Sequence, residues 1–123
     1  MAESRDPTLR VTMLPRDTNA RGTIFGGVIL SHIDLAGAIA AGQLGSRNFV
    51  TRAFHEVDFI APVYVGDVVS LYASVLRQGN TSVTVKIEVE AERCKEPGKK
   101  VKVTAAEVVY VAVDDSGVPT PIT

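Results

Sequence analysis

The stretch GGVILSHIDLAGAIAAGQLG, residues 26–45, decides how the chain folds. Ala, Leu and Ile dominate it, surface charge is almost absent, and it is long enough for about five helical turns. A helix this apolar around its circumference has to be buried on most sides. Gly45 or the Gly42 region ends it. Inside it sits Asp34, flanked by Ile33 and Leu35. A buried, ionised carboxylate without partners is strongly unfavourable, so Asp34 has to be paired, hydrated or protonated. Spacing alone leaves two readings open: a functional carboxylate, or an Asp at a polar subunit contact bonded to Ser31 one turn earlier. A Ser–His–Asp relay within SHID (31–34) is excluded by geometry. At ~100° per residue, His32 and Asp34 lie ~200° apart on the helix and cannot bond to each other.

Outward from this helix the chain is β. Residues 8–14, TLRVTML, form a short strand ended by Pro15, and residues 15–23 read as a polar loop. After the helix, residues 49–63 are the first long strand, bent near Ala61-Pro62. Residues 66–79 follow, with Val69, Leu71, Ala73 and Val75 on one face. In residues 81–94, Val83, Val85, Ile87, Val89 and Ala91 point one way and the charged positions the other. Residues 96–100 turn, and residues 101–113 are apolar on both faces over their second half, as expected of a central strand. One antiparallel sheet cannot cover itself, so it has to curl around the only apolar helix available. That α+β arrangement is the hotdog fold, a single domain over residues 1–123. A sheet around one helix leaves a far face and edges open, so a homo-oligomer is expected.

Composition narrows the function. The 123 residues are 46% hydrophobic, enough for one packed core. The 13 basic and 14 acidic residues are interspersed, leaving a net charge of −1 without the footprint of a nucleic-acid binder. Cys94 is the only cysteine, which suits a reducing compartment. Two histidines and one cysteine, scattered, make no metal cluster. His32 and Asp34 interrupt the best membrane-span candidate, and residues 1–10 lack the apolar centre of a signal peptide. A cytoplasmic protein is expected.

Gly26-Gly27 opens the helix, where missing side chains let a ligand atom approach free backbone N–H groups. Those donors and the positive end of the helix dipole suit an anion or a developing oxyanion. A tight strand-to-helix turn would use the same pair, and Asn19 and Gly22 alone are ordinary turn residues. The combination is more specific. DTNARGTIFGG (17–27) followed by Asp34, seven residues beyond the second Gly, resembles the cytosolic acyl-CoA hydrolase family, particularly its bacterial YciA-like members. VDFIAPVYVGDVV (57–69), GNTSVTVKIEVEAER (79–93) and YVAVDDSGVP (110–119) are similar to further family segments, so the resemblance runs over about residues 8–119.

The resemblance implies a hotdog thioesterase that hydrolyses acyl-CoA, medium- or long-chain, to free acid and CoA. It carries the family's two catalytic positions onto Asn19 and Asp34, with Asn19 of one subunit facing Asp34 of another. It also implies dimers, assembled three at a time into a hexamer. Asp34 would act as general base or nucleophile, and Asn19 would orient water or the carbonyl. The Gly27 or Val28 N–H would receive the oxyanion, with Gly26 opening the approach. The leaving thiolate, with a pKa of ~8.5, needs no strong acid. Thr81 and Ser82, with Arg93 and Lys95, are candidates for pantetheine or phosphate. Phe25 would line the acyl channel or the core, and Asp17 would brace its loop. His55 reads as an interior histidine. No cofactor is expected beyond CoA as part of the substrate.

Two departures stand out. The chain ends soon after the last strand where many relatives run longer, so a pocket wall or subunit contact made by such a tail would be missing or supplied differently. His32 replaces another polar residue. Two rivals exist. A hotdog dehydratase or hydratase would pair a His with an acidic residue near the helix, but His32 faces away from Asp34. A non-catalytic acyl-CoA binding or sensing module would share the cleft and need neither Asn19 nor Asp34. A regulator would usually add a DNA-binding domain, for which 123 residues leave no room.

Overall fold

The computed structural model describes residues 6–45 and 48–122; the ends of the domain expected over 1–123 lie outside them. In chain order come β1 (Leu9–Thr12), a 3-10 turn (Pro15–Asp17), α1 (Gly26–Gly42), β2 (Asn48–Phe59), β3 (Val68–Gln78), β4 (Ser82–Glu92) and β5 (Lys100–Val113). The strands form one antiparallel sheet in the order β1-β3-β4-β5-β2, and α1 lies against it. This is the hotdog arrangement. No described helix is long and apolar enough to cross a membrane.

The alternation in β4 survives except at Thr84, which is buried as well. Val83, Val85, Ile87, Val89 and Ala91 are all buried beneath the helix. β5, apolar on both faces over its second half, sits between β4 and β2. On the expected apolar face of β3, Val69 and Leu71 are fully covered, Ala73 is half-buried and Val75 is exposed. That expected face outruns the helix. The first long strand is shorter than expected, because it stops at Phe59. Ile60 and Ala61 both donate their N–H to the Val103 carbonyl, and the chain then leaves the sheet through Pro62. Irregular register between Thr51 and Ala53 and between His55 and Asp58, with Glu56 at φ 51°, turns His55 outward. The expected interior histidine is therefore an exposed one.

The helix is not buried on most sides within one chain. Ile29, Ile33, Ala36, Gly37, Ala40 and Ala41 face the sheet. Leu35 and Ile39, one turn apart, remain 52% and 39% exposed. An exposed apolar stripe of this kind is suited to contact with another surface.

The 60–67 loop is fixed by one carboxylate. Asp67, 2% exposed, accepts from the Tyr64 N–H at 2.9 Å and from Arg93 Nη1 at 2.6 Å. Arg93 Nη1 also donates to the Pro62 carbonyl, and its guanidinium lies 4.9 Å from the centre of the Tyr64 ring. Removing one partner of such a pair leaves a buried charge uncompensated. Arg93→Met is expected to destabilise the protein by about 3 kcal/mol, read as a lowered urea midpoint at fixed protomer concentration.

Candidate active site

The structure sorts the candidate residues into two groups at opposite ends of the sheet. The first surrounds the start of α1. Here the loop from Asp17 to Ile24 closes on itself, with Thr18 bridged to Ile24. Asn19 organises it: Oδ1 accepts from the N–H of Arg21 (2.8 Å) and of Thr23 (3.3 Å), while Nδ2 donates to Thr23 Oγ1 (3.0 Å). Gly22, at φ 86°, supplies the left-handed turn this closure needs. Asp17 braces the loop from below, accepting from the Leu14 N–H through Oδ2 and from the Phe25 N–H through its carbonyl.

At the helix start the two candidate oxyanion donors differ. The Val28 N–H already donates to the Phe25 carbonyl at 3.0 Å, so the expectation that it is free is corrected. The first helical bond consumes it. The Gly26 and Gly27 N–H groups meet no acceptor among the described residues. Phe25 is exposed, and its ring folds back over Gly27, where an added Cβ would lie 2.6 Å from Cε2. The glycine thus makes room for an aromatic ring. Beside this turn a cavity of about 310 Å³ is lined by Thr23, Gly26, Ile29, Phe59, Pro62 and Thr104.

Arg93 and Lys95 belong to the same end. Arg93 is committed to Asp67 and Pro62, whereas Lys95 is exposed and lines a second cavity of about 640 Å³ with Gly22, Tyr64, Cys94 and Lys99. Thr81 and Ser82 lie at the opposite end of β4, where Ser82 pairs with Val111 and the Thr81 carbonyl accepts from the Ala112 N–H. Within one chain these four candidates for pantetheine or phosphate are not brought together. They occupy the two ends of a long strand.

The second group holds Asp34. Its Oδ1 accepts from Thr51 Oγ1 on β2 at 2.5 Å and from the Tyr110 hydroxyl on β5 at 3.2 Å. The same Tyr110 hydroxyl donates to the Asp34 main-chain carbonyl at 2.7 Å. Oδ2 takes no hydrogen bond from a described residue. Ser31 is not a partner, because its hydroxyl donates to the Val28 carbonyl. His32 is not one either: its partners in charge lie toward Asp17. Thr51 and Tyr110 were missed by sequence reasoning. The mid-helix Gly37, whose added Cβ would lie 2.1 Å from the Tyr110 oxygen, was the one local sign that something presses on this helix.

Between the two groups lies the run of β5 from Thr104 to Tyr110, about 20 Å along the strand. One chain therefore carries a carboxylate with a free oxygen at one end and a pair of free backbone donors at the other.

Residues 21–97 match the family model described as the Thioesterase superfamily. The chain belongs to this superfamily. The acyl-CoA thioester hydrolase YciA of Escherichia coli K12 is 44% identical over 116 residues, covering 93% of this chain and 88% of that relative. A hexameric hotdog fold thioesterase of Campylobacter jejuni superposes with a TM-score of 0.91 at 45% identity, covering 97% of this chain and 91% of that one. A hexameric thioesterase of Yersinia pestis superposes at 0.90 with 38% identity, covering 98% of each chain.

Burial pushes the His32 imidazole below its usual 6.5, against the opposing pull of the Asp17 charge. The fold thus favours neutral His32, and the unfolded chain binds the proton more tightly. Stability is expected to be flat above pH 6.5 from this source and to fall as the pH drops below it. His32→Gln is expected to remove that part of the acid sensitivity, measured by urea midpoints between about pH 8 and about pH 5.

Proposed function

We propose that this chain hydrolyses acyl-CoA thioesters to a free acid and CoA, with Asp34 as the reacting carboxylate in a cleft shared by two copies. The observation that carries the reading is the Asp34 carboxylate itself, anchored through Oδ1 and open at Oδ2. It sits in a chain that is 44% identical to an acyl-CoA thioester hydrolase.

The two half-sites supply the case for a shared cleft. β2 is an edge strand, bonded only to β5 within the sheet. Antiparallel pairing of β2 with its copy sets the Phe59 end of one strand beside the Thr51 end of the other. Gly26 packs near the Phe59 ring, and Thr51 holds Asp34. Such pairing therefore brings the free N–H groups of one helix start toward the carboxylate of the other. The exposed Leu35–Ile39 stripe is then covered by the second copy. Thr81 and Ser82 of one subunit come to the same side as Lys95 of the other, so a CoA chain can reach from the hairpin to the cation. Three such dimers would make a hexamer, the assembly named for both solved relatives.

In the reaction, Oδ2 of Asp34 takes a proton from water as the oxygen attacks the thioester carbon, or attacks that carbon itself. The carbonyl oxygen gains charge and is met by the Gly26 and Gly27 N–H groups at the positive helix end. Collapse breaks the C–S bond and expels the thiolate, a good leaving group near neutrality; where Oδ2 itself attacked, water then cleaves the mixed anhydride left on Asp34 to release the free acid and restore the carboxylate. Asn19 holds the loop and presents it to the reacting group. Medium- or long-chain acyl groups fit the apolar lining contributed by Ile29, Phe59 and Val63. No cofactor takes part.

Thiol release from an acyl-CoA chain-length series tests this. Asp34→Asn is expected to lower kcat by about 10³-fold, and Asn19→Ala by about 10²-fold. Undiminished turnover in Asp34→Asn rejects the reading. No turnover in the parent protein together with tight CoA binding replaces it with an acyl-CoA sensing module.

A further inference from the structure

We infer that Tyr110 is the positioning residue for Asp34, and that Gly37 exists in the helix to let it reach there. The inference rests on the reading of Asp34 as the reacting carboxylate. It goes beyond that reading by naming what aims the group.

Three observations converge. The Tyr110 hydroxyl bridges two oxygens of one residue, the main-chain carbonyl of Asp34 at 2.7 Å and its Oδ1 at 3.2 Å. A donor shared between a residue's own backbone and side chain restricts the side-chain torsions between them. Thr51 adds a second hydroxyl to the same Oδ1. Both contacts fall on one oxygen, so the carboxylate is held like a lever with Oδ2 as its free end.

The ring that delivers this hydroxyl is fully buried on β5, so it cannot swing away without opening the core. Its approach is bought by a glycine. An added Cβ on Gly37 would lie 2.1 Å from the hydroxyl oxygen and 2.8 Å from two ring carbons. Glycine is a poor residue for the middle of a helix, and nothing in the local backbone calls for it there: its φ is helical. The tyrosine oxygen occupies the volume that any other residue would fill.

The hydroxyl acts as a donor only. Burial, then the Asp34 charge and the hydrogen bond to it, push the Tyr110 phenol well above its usual 10.0. The proton therefore stays on Tyr110 through any working pH, and Tyr110 neither takes a proton nor attacks. It acts through Asp34.

The test uses the assembled full-length protein and the acyl-CoA thiol-release assay. Tyr110→Phe removes one oxygen and keeps the ring. It is expected to lower kcat about tenfold with KM within about twofold, because orientation of the reacting oxygen is lost while substrate contacts remain. Placing 4-aminophenylalanine at the same position restores a donor and is expected to recover part of kcat. Gly37→Ala disturbs the same hydroxyl from the helix side and is expected to lower kcat in the same way, which keeps the inference testable if Tyr110→Phe yields too little folded protein. A lowered melting temperature with kcat per folded site unchanged overturns the inference. So does a loss confined to KM, or a kcat loss that 4-aminophenylalanine does not repair. Asp34→Asn is run alongside. If it abolishes turnover while Tyr110→Phe and Gly37→Ala leave kcat within about twofold, the positioning role alone fails. If Asp34→Asn is itself active, the reading beneath it fails.

Discussion

A single sheet with a single helix has to solve two coverage problems with one element. α1 gives Ile29, Ile33, Ala36 and Ala40 to the concave face of the sheet, and by doing so closes the core over β4 and β5. The small residues Ala36, Gly37, Ala40 and Ala41 bring the helix close to the strands. Close approach is what lets a hydroxyl from β5 touch the helix backbone and lets a threonine from β2 reach a helical carboxylate. Larger residues on this face would hold the helix off and leave Asp34 without its partners. The geometry of the site is thus a by-product of how thin the core is made.

The same economy places the backbone donors and the carboxylate at opposite ends of one chain. The helix start and the Asn19 loop sit over the Phe59 end of β2, and the carboxylate sits over the Thr51 end. In the proposed dimer a two-fold axis across an antiparallel edge would exchange these ends. Donors and carboxylate would then meet without a second helix, and the exposed Leu35–Ile39 stripe would give the second copy an apolar surface.

Most of the fold was legible because its signals are local. The period-two run in β4 and the charge-poor stretch in α1 survive in the structure almost residue for residue. Asp34 was legible for the same reason: a charge inside an apolar helix stands out by contrast. Its partners were not. Thr51 and Tyr110 lie 17 and 76 positions away, and Tyr110 stands in a strand where aromatic bulk needs no explanation. The Val28 N–H was misjudged because a helix-start bond to Phe25 is a matter of one turn's geometry, which composition does not express. Thr81 and Ser82 stand at the start of β4 and Arg93 and Lys95 beyond its end, so within one chain these four candidates stay a strand's length apart. Arg93 is a candidate ligand contact by sequence, but its partner Asp67 lies 26 positions away and is invisible until the loop closes.

The Asn19 loop carries a thermodynamic consequence. Its amide is already engaged before any substrate arrives, with Arg21 and Thr23 as partners and Gly22 in its left-handed turn. The entropy of ordering this segment is lost during folding, so docking a thioester against it demands little further freezing of the backbone. Calorimetry of product or analogue binding would then register a heat-capacity change set by the apolar surface covered, with no added signature of a loop condensing around its guest.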